Sequence, residues 1–244
     1  MLREAQDNLE GKVPRVLVAP HAGYPFSGHT AATAFATLRG AAPEHVVILG
    51  RSHHFHFEGA AIWSKGAFET PLGAMPIDSA IASELSAWAG GVDVGQVHAP
   101  EHALEVELPF LQVVVGDVPI VPVLFGSGPD ETHVRFGEHL ASILGPEDVV
   151  VVSTDLSHFL HEKEANVLDQ CSLDTLLNGD PQAFMDAVET GHCSMCGATA
   201  VVAGMACAHA LHAENWRLLD YRTSAWATGD PSSVVGYGAV SMAA

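Results

Sequence analysis

Five short runs rich in valine and isoleucine punctuate the chain: VPRVLVAP (13–20), HVVILG (45–50), VPIVPVLFG (118–126), DVVVVSTD (148–155) and SVVGYGAVSM (233–242). They are apolar along most of their length rather than alternating, which is the pattern of strands covered on both faces. Between them, apolar positions at helical spacing predict helices over Thr30–Arg39, Ser79–Ala89, Leu104–Val115, Glu131–Leu144, Ala165–Asn178, Pro181–Thr190 and Ala198–His212. Asp78-Ser79 and Asp180-Pro181 carry the capping chemistry of helix starts. The segment Ala198–His212 is rich in Ala, Val and Met with almost no charge, so a buried helix is expected there. Strands alternating with helices predict an α/β protein, a single layered domain with a central sheet flanked by helices. No internal repeat and no low-complexity tract interrupts this order, and GSGPDE (126–131) and TGDPSS (228–233) read as ordinary turns.

Composition sharpens the picture. At 244 residues, 48% hydrophobic and 16% charged, the chain can bury a full-sized core, and one domain over residues 1–244 is expected. The formal charge of −19, ten Lys and Arg against 29 Asp and Glu, opposes nucleic acid and anionic membrane surfaces as partners. The start, MLREAQDNLEGKVPR, lacks an apolar targeting core, and no run approaches the length of a membrane span, so a cytoplasmic location is expected. Four cysteines, Cys171, Cys193, Cys196 and Cys207, are too few for a secreted disulfide framework; reduced thiols or a metal ligand are the natural reading. The fifteen histidines outnumber Lys and Arg together, although several, such as His133, His139 and His212, are expected to be unspecific surface residues.

Where the histidines fall matters more than their number. His21 follows the strand ending VAP, His53 and His54 follow the strand ending ILG, and Asp155 with His158 follows VVVVS. Ligands of open α/β sheets bind outside the carboxyl ends of strands, so these groups can meet in one crevice, and converging imidazoles with a soft or carboxylate donor suit a divalent transition metal. The spacing does not choose between His53 and His54, because adjacent side chains point in different directions. Glu101 and His102 precede a helix that contains Glu105 and Glu107; Glu101 reads as a helix-start residue and His102 as a proton-transfer or supporting group. Polar residues at the end of so apolar a strand require partners, either a structural network or an active site, with Asp155 suited to orienting an imidazole. The pair Cys193 and Cys196 in HCSMCG is a single CxxC, a weak motif that on these residues alone reads first as two small buried hydrophobes. Cys171 and Cys207 sit on apolar helical faces and read as structural, and no G-x-S-x-G elbow supports a serine hydrolase.

Seven blocks, APHAGYPFSGHTAATAF, VVILGRSHH, FETPLGAMPID, EHALEVELPFLQ, VVSTDLSHF, CGATAVVAGM and TGDPSSVVGYGAV, resemble the Memo family in sequence and order from about Val16 to the C-terminus. The resemblance is strongest to its prokaryotic branch, the B component of the AmmeMemoRadiSam group. It implies a fold similar to class III extradiol dioxygenases, whose iron is held by two histidines and a glutamate. In Memo-like proteins the third position looks like a cysteine and the ligating histidine of the SHH block is its first. Carried over to this sequence, that implies His21, His53 and Cys196 as metal ligands. Asp155 and His158 then line the pocket, His158 resembling the dioxygenase acid/base histidine, with His102 a further pocket residue. Two positions depart from the family pattern: Arg51 stands where proline usually precedes SHH, and the segment before the first strand is short for a prokaryotic relative.

A thiolate in place of a carboxylate favours copper, zinc or a differently poised iron, and is itself open to oxidation. The leading expectation is therefore a metal-dependent oxidoreductase or metal-redox protein with a His/His/Cys site, binding iron or copper, with zinc as a further option. Asp155 and His158 would then handle protons. The alternatives are an extradiol-type ring-cleaving dioxygenase and a non-catalytic module that captures a peptide or partner protein. The family's prokaryotic members accompany AMMECR1-like and radical-SAM proteins, so these are the expected partners beside an unidentified small-molecule or peptide substrate.

Overall fold

The computed structural model describes residues 1–5, 13–89 and 94–244. Four strands form the parallel heart of the sheet: β1 (Val16–Ala19), β2 (Val46–Arg51), β6 (Ile120–Phe125) and β7 (Val149–Ser153). Each corresponds to one of the valine-rich runs, and apart from Arg51 every residue in them is buried, as two-sided cover requires. The other strands are β3 (Ala60–Ile62), β8 (His158–Leu160), β9 (Asn215–Thr223) and β10 (Val234–Ala243), giving the order β3-β6-β2-β7-β1-β10-β8 with β9 paired to β10. The four outer strands run antiparallel to their neighbours. A separate hairpin joins β4 (Ala67–Thr70) to β5 (Gly73–Pro76).

The helices are α1 (Tyr24–Ala36), α2 (Ser79–Ala89), α3 (Val94–His98), α4 (Leu108–Val114), α5 (Glu131–Ile143), α6 (Glu162–Leu177), α7 (Pro181–Glu189), α8 (Ala198–Ala210) and the short α9 (Ala225–Thr228). Side chains of Asp78 and Asp180 accept the backbone N–H groups of the first turns of α2 and α7, as their sequences predict. Residues Ala198–Ala208 of α8 are all buried, so the uncharged helix lies inside the molecule. Three boundaries differ from expectation. Helix α1 starts at Tyr24 rather than Thr30, because Pro25 suits the first turn. The segment expected as one helix from Leu104 divides into a 3-10 turn, Glu105–Glu107, and α4, with Pro109 in the first turn of α4. Helix α6 starts at Glu162, where His161 accepts the Lys163 N–H.

Register decides where the chemistry emerges. Leu49 lies opposite Val152 and Ala19 opposite Ser153, so β1, β2 and β7 end at nearly the same level on one edge. His21, His53 and Asp155 each leave the sheet two residues beyond a strand end and so come out together. Among the described residues, no helix is long and apolar enough to cross a membrane.

Candidate metal centre

His21, His53 and His102 meet at this edge, each offering a ring nitrogen within 4.8 Å of the others'. The His21 ring stands nearly perpendicular to the other two, with ring centroids 5.2 Å from His53 and 5.6 Å from His102. His53 and His102 stack at 5.0 Å. The geometry thus selects His53 of the SHH block, while His54 and His56 are exposed and outside the cluster.

One carboxylate arranges two of the rings. Glu101, with its side chain 1% exposed, places Oε1 2.9 Å from His53 Nδ1 and 3.3 Å from His102 Nδ1. The same carboxylate accepts the backbone N–H groups of His53, His102 and Ala103 at 2.6, 2.9 and 3.0 Å. With Nδ1 turned to Glu101, each ring presents Nε2 to the cleft, the arrangement by which carboxylates orient metal-binding histidines. Burial alone would push Glu101 up, yet the hydrogen bonds from His53 and Ala103 hold it down at about 2. The helix-start role that the sequence suggested for Glu101 therefore misses its main work, which spans 48 residues of chain.

His21 is fixed by a different device. Its backbone N–H donates to Asp155 Oδ1 at 2.9 Å, and its Nδ1 lies 2.8 Å from Ser153 Oγ. The Ser153 hydroxyl has one proton and two acceptors on its far side, Ala103 O at 2.6 Å and Glu107 Oε1 at 3.1 Å. With that proton drawn away, His21 Nδ1–H donates to Ser153 and Nε2 is left with its lone pair. Burial, then the neighbouring charges of His53 and His102, push the His21 imidazole down to about 3, so it remains neutral. Glu107 is fully buried, and burial pushes its carboxyl well above the ordinary range.

Cys196, expected as the third ligand, borders the cluster without being one of its three grouped donors. Its Sγ lies 3.3 Å from His21 Nε2, accepts the Asp155 N–H at 3.1 Å, and hydrogen-bonds His53. A sulfur about 2.3 Å and a nitrogen about 2.0 Å from one tetrahedral ion stand about 3.5 Å apart, so this separation suits two donors to a shared cation. The sulfur reaches this position because the next residue is Gly197: a Cβ there would come within 2.7 Å of Ser153 O and 2.8 Å of Thr154 Cβ. The Cys196 hydrogen bond, then Glu101, pushes His53 up to about 10. Cys193 is buried, as a small hydrophobe would be, whereas Cys171 is exposed and not on a covered face.

The two remaining expected residues flank the cluster. Asp155 accepts the N–H groups of His21 and Ala22, and burial pushes its carboxyl up to about 7. Its backbone exchanges two hydrogen bonds with Cys196, so it ties the β1 loop to the cysteine loop. His158, half-buried in β8, lies near enough for its charge to act on His21 and His53, and burial lowers its own pKa. The next residue, Phe159, is 78% exposed in a left-handed conformation (φ 62°), a costly geometry for a bulky side chain. Arg51 closes β2 with its Nε buried and unpartnered. Asp155 and His158 were visible as polar residues after an apolar strand, but Ser153 and Glu107 gave no such signal.

Fold and site together define an α/β protein of the class III extradiol dioxygenase-like fold carrying a histidine cluster fit to hold a divalent metal. The chain matches the Memo-like protein family over residues 1–241, and it belongs to that family. A MEMO1 family protein of Methanopyrus kandleri is 37% identical over 230 residues, covering 92% of this chain and 81% of the relative. Its counterpart in Methanothermobacter thermautotrophicus is 34% identical, covering 91% and 82%, and that of Aquifex aeolicus is 33% identical, covering 92% and 84%. The crystal structure of uncharacterized protein JW3007 from Escherichia coli K12 is similar in fold, with a TM-score of 0.55 at 14% identity, covering 92% of this chain and 98% of that one.

Proposed function

We propose that this chain is a metal-dependent oxidoreductase or metal-redox protein that binds its ion with His21, His53 and Cys196. His102 supplies an exposed fourth donor. The observation that carries the reading is the convergence of the His21, His53 and His102 ring nitrogens, two of the rings oriented by Glu101, with Cys196 Sγ 3.3 Å from His21 Nε2. The His102 side chain is 50% exposed, so it is the donor most easily displaced by an incoming substrate. A bound iron or copper ion would supply Lewis-acid and one-electron chemistry at this edge. The protein's own share is to hold His21 neutral with Nε2 facing the cleft, to orient His53 and His102 through Glu101, and to keep protonatable groups nearby. Asp155, poised near neutrality, and His158 are the residues assigned to proton movement.

The ring-cleaving alternative is less well supported. Both carboxylates closest to the cluster are committed elsewhere, Glu101 to imidazole Nδ1 atoms and Asp155 to backbone N–H groups. The donors that face the cleft are nitrogen and sulfur, a softer set that suits copper, zinc or a thiolate-bound iron. Elemental analysis of protein purified without a histidine tag, beside Cys196→Ser and the exposed control His54→Ala, tests the proposal. Cys196→Ser is expected to lower metal affinity about 10-fold or more, as loss of a ligand should at least match the 10–100-fold effect of losing a supporting group. His54→Ala should bind as the parent does. Unchanged metal content in Cys196→Ser would remove the sulfur from the site.

A further inference from the structure

His133 Nε2 and Glu107 Oε2 are among the buried polar atoms that find no hydrogen-bond partner. His133, expected from the sequence to be an unspecific surface residue, is only 2% exposed. Its Nδ1 lies 2.9 Å from the Asp130 carboxylate in the capping box of α5, so service to that helix accounts for the ring. Glu107 has no such account. It ends the 3-10 turn before α4, is wholly buried, and takes part in none of the ion pairs among the described residues. Its side chain reaches the Ser153 hydroxyl, 3.1 Å from Oε1.

That hydroxyl fixes the charge on Glu107, because a serine donates once and accepts twice. Ser153 Oγ has three neighbours: Ala103 O at 2.6 Å, His21 Nδ1 at 2.8 Å and Glu107 Oε1 at 3.1 Å. One proton cannot serve both oxygens. A backbone carbonyl can only accept, so the serine proton belongs to Ala103 O, the shortest of the three contacts. Both other neighbours must then donate: His21 through Nδ1–H, and Glu107 through a proton of its own on Oε1. What is left at Oε2 is the carbonyl oxygen of a carboxylic acid, whose lack of a partner costs far less than an unpaired buried carboxylate would. The surroundings agree, since the titratable groups that interact with Glu107 are themselves acids, the Asp155 carboxyl and the Tyr24 phenol.

We propose that Glu107 is a neutral, proton-donating positioning residue: its O–H fills the Ser153 lone pair that His21 leaves free, which fixes the hydroxyl between Ala103 and His21 and holds the imidazole with Nε2 toward the cleft. The positioning role rests on the metal reading above; the protonation is a property of the metal-free chain. On the proposed ligand set a divalent ion is balanced by the Glu101 carboxylate and a Cys196 thiolate, so an ionised Glu107 would add a buried charge without a partner.

Infrared difference spectroscopy of metal-free protein, parent against Glu107→Gln near pH 7, tests the protonation. The parent is expected to contribute the carbonyl stretch of a carboxylic acid, above the carboxylate bands and sensitive to deuterium exchange. Carboxylate bands in its place overturn the proposal. Equilibrium dialysis with zinc tests the positioning. The glutamine amide donates to Ser153 as the acid does, so Glu107→Gln should bind within about 2-fold of the parent, whereas Glu107→Leu, similar in size but with no donor, should bind about 10-fold more weakly. Equal losses in the two variants, or no loss in Glu107→Leu, overturn it. If the parent binds no zinc, the metal reading falls, and the nitrogen-15 shifts of the His21 ring decide the positioning instead: Glu107→Gln should leave them in place and Glu107→Leu should move them, and the reverse result overturns the proposal.

Discussion

At the scale of single residues, one buried carboxylate governs two imidazoles at once: Glu101 Oε1 lies 2.9 Å from His53 Nδ1 and 3.3 Å from His102 Nδ1. His21, Asp155 and the His53–His54 pair stand out in the sequence because polar residues follow apolar strands, whereas the choice of His53 over His54 and the attention to Cys196 came with the family resemblance. Glu101, Ser153 and Glu107 act through contacts 46 to 50 residues away in the chain, which no local pattern encodes. Glu101→Gln should keep the backbone hydrogen bonds but lose the charge behind both Nδ1 atoms, lowering metal affinity about 10-fold in equilibrium dialysis. The carboxyl of Glu101 is held below its unfolded value, so its stabilisation is complete above the ordinary range and disappears as pH falls through about 2. Asp155 has the opposite sign. With its folded value raised to about 7, the native state keeps a proton that the unfolded chain has already lost, so stability from this group is full below about 4 and fades as pH rises towards 7. Asp155→Asn keeps an acceptor for the His21 N–H and removes that penalty. In metal-free protein its Tm should exceed the parent's by about 5 °C at pH 8 and converge with it near pH 4, measured by calorimetry. A gap that is constant across pH would place the Asp155 carboxyl at its ordinary value.

At the scale of elements, the strands with continuous apolar runs could be read directly, and those with mixed composition could not. Strand β9, NWRLLDYRT, was missed because it is largely half-exposed and carries charged residues on an outer position of the sheet, paired only to β10. The three residues of β8 were too short to register, yet they place His158 beside the cluster. What fixes β8 is Asp169 of α6, which is wholly buried and accepts the Ser157 N–H at 2.9 Å and the Tyr221 hydroxyl at 2.8 Å. The carboxylate fits there only because β10 presents Gly236; a Cβ at that position would overlap it. Gly236→Ala is therefore expected to push Asp169 off Ser157 and cost about 2 kcal/mol in urea denaturation, in the range of overpacked cores. Tyr221→Phe, which deletes one hydrogen bond and leaves the fit intact, should cost about 1 kcal/mol. If Gly236→Ala proves no worse than Tyr221→Phe, the close approach of β10 to α6 is not what holds His158 in place.

At the scale of the whole molecule, the architecture followed from alternating strands and helices, while the charge acts on stability rather than on fold. A formal charge of −19 leaves carboxylates facing one another with few cations between them. Among the described residues, Arg222 with Asp220 is the one ion pair joining a Lys or Arg side chain to a carboxylate; the others rest on histidines or the N-terminus. Self-repulsion of this kind acts over the Debye length, which shrinks from about 30 Å at 0.01 M salt to about 8 Å at 0.15 M. The compact state, which brings the charges closer than the unfolded chain does, gains more from that screening. Metal-free protein should therefore show a Tm that rises by several degrees between about 10 and 150 mM sodium chloride and levels off near 0.5 M, where the screening length is already shorter than most charge separations. The metal response is separable from this: an ion held by the cluster stabilises with a midpoint set by its own concentration, and in Cys196→Ser that midpoint moves to about 10-fold or more higher metal while the salt response persists. A Tm that falls with salt would mean that attractive pairs outweigh repulsion across the surface, contrary to the scarcity of Lys and Arg partners.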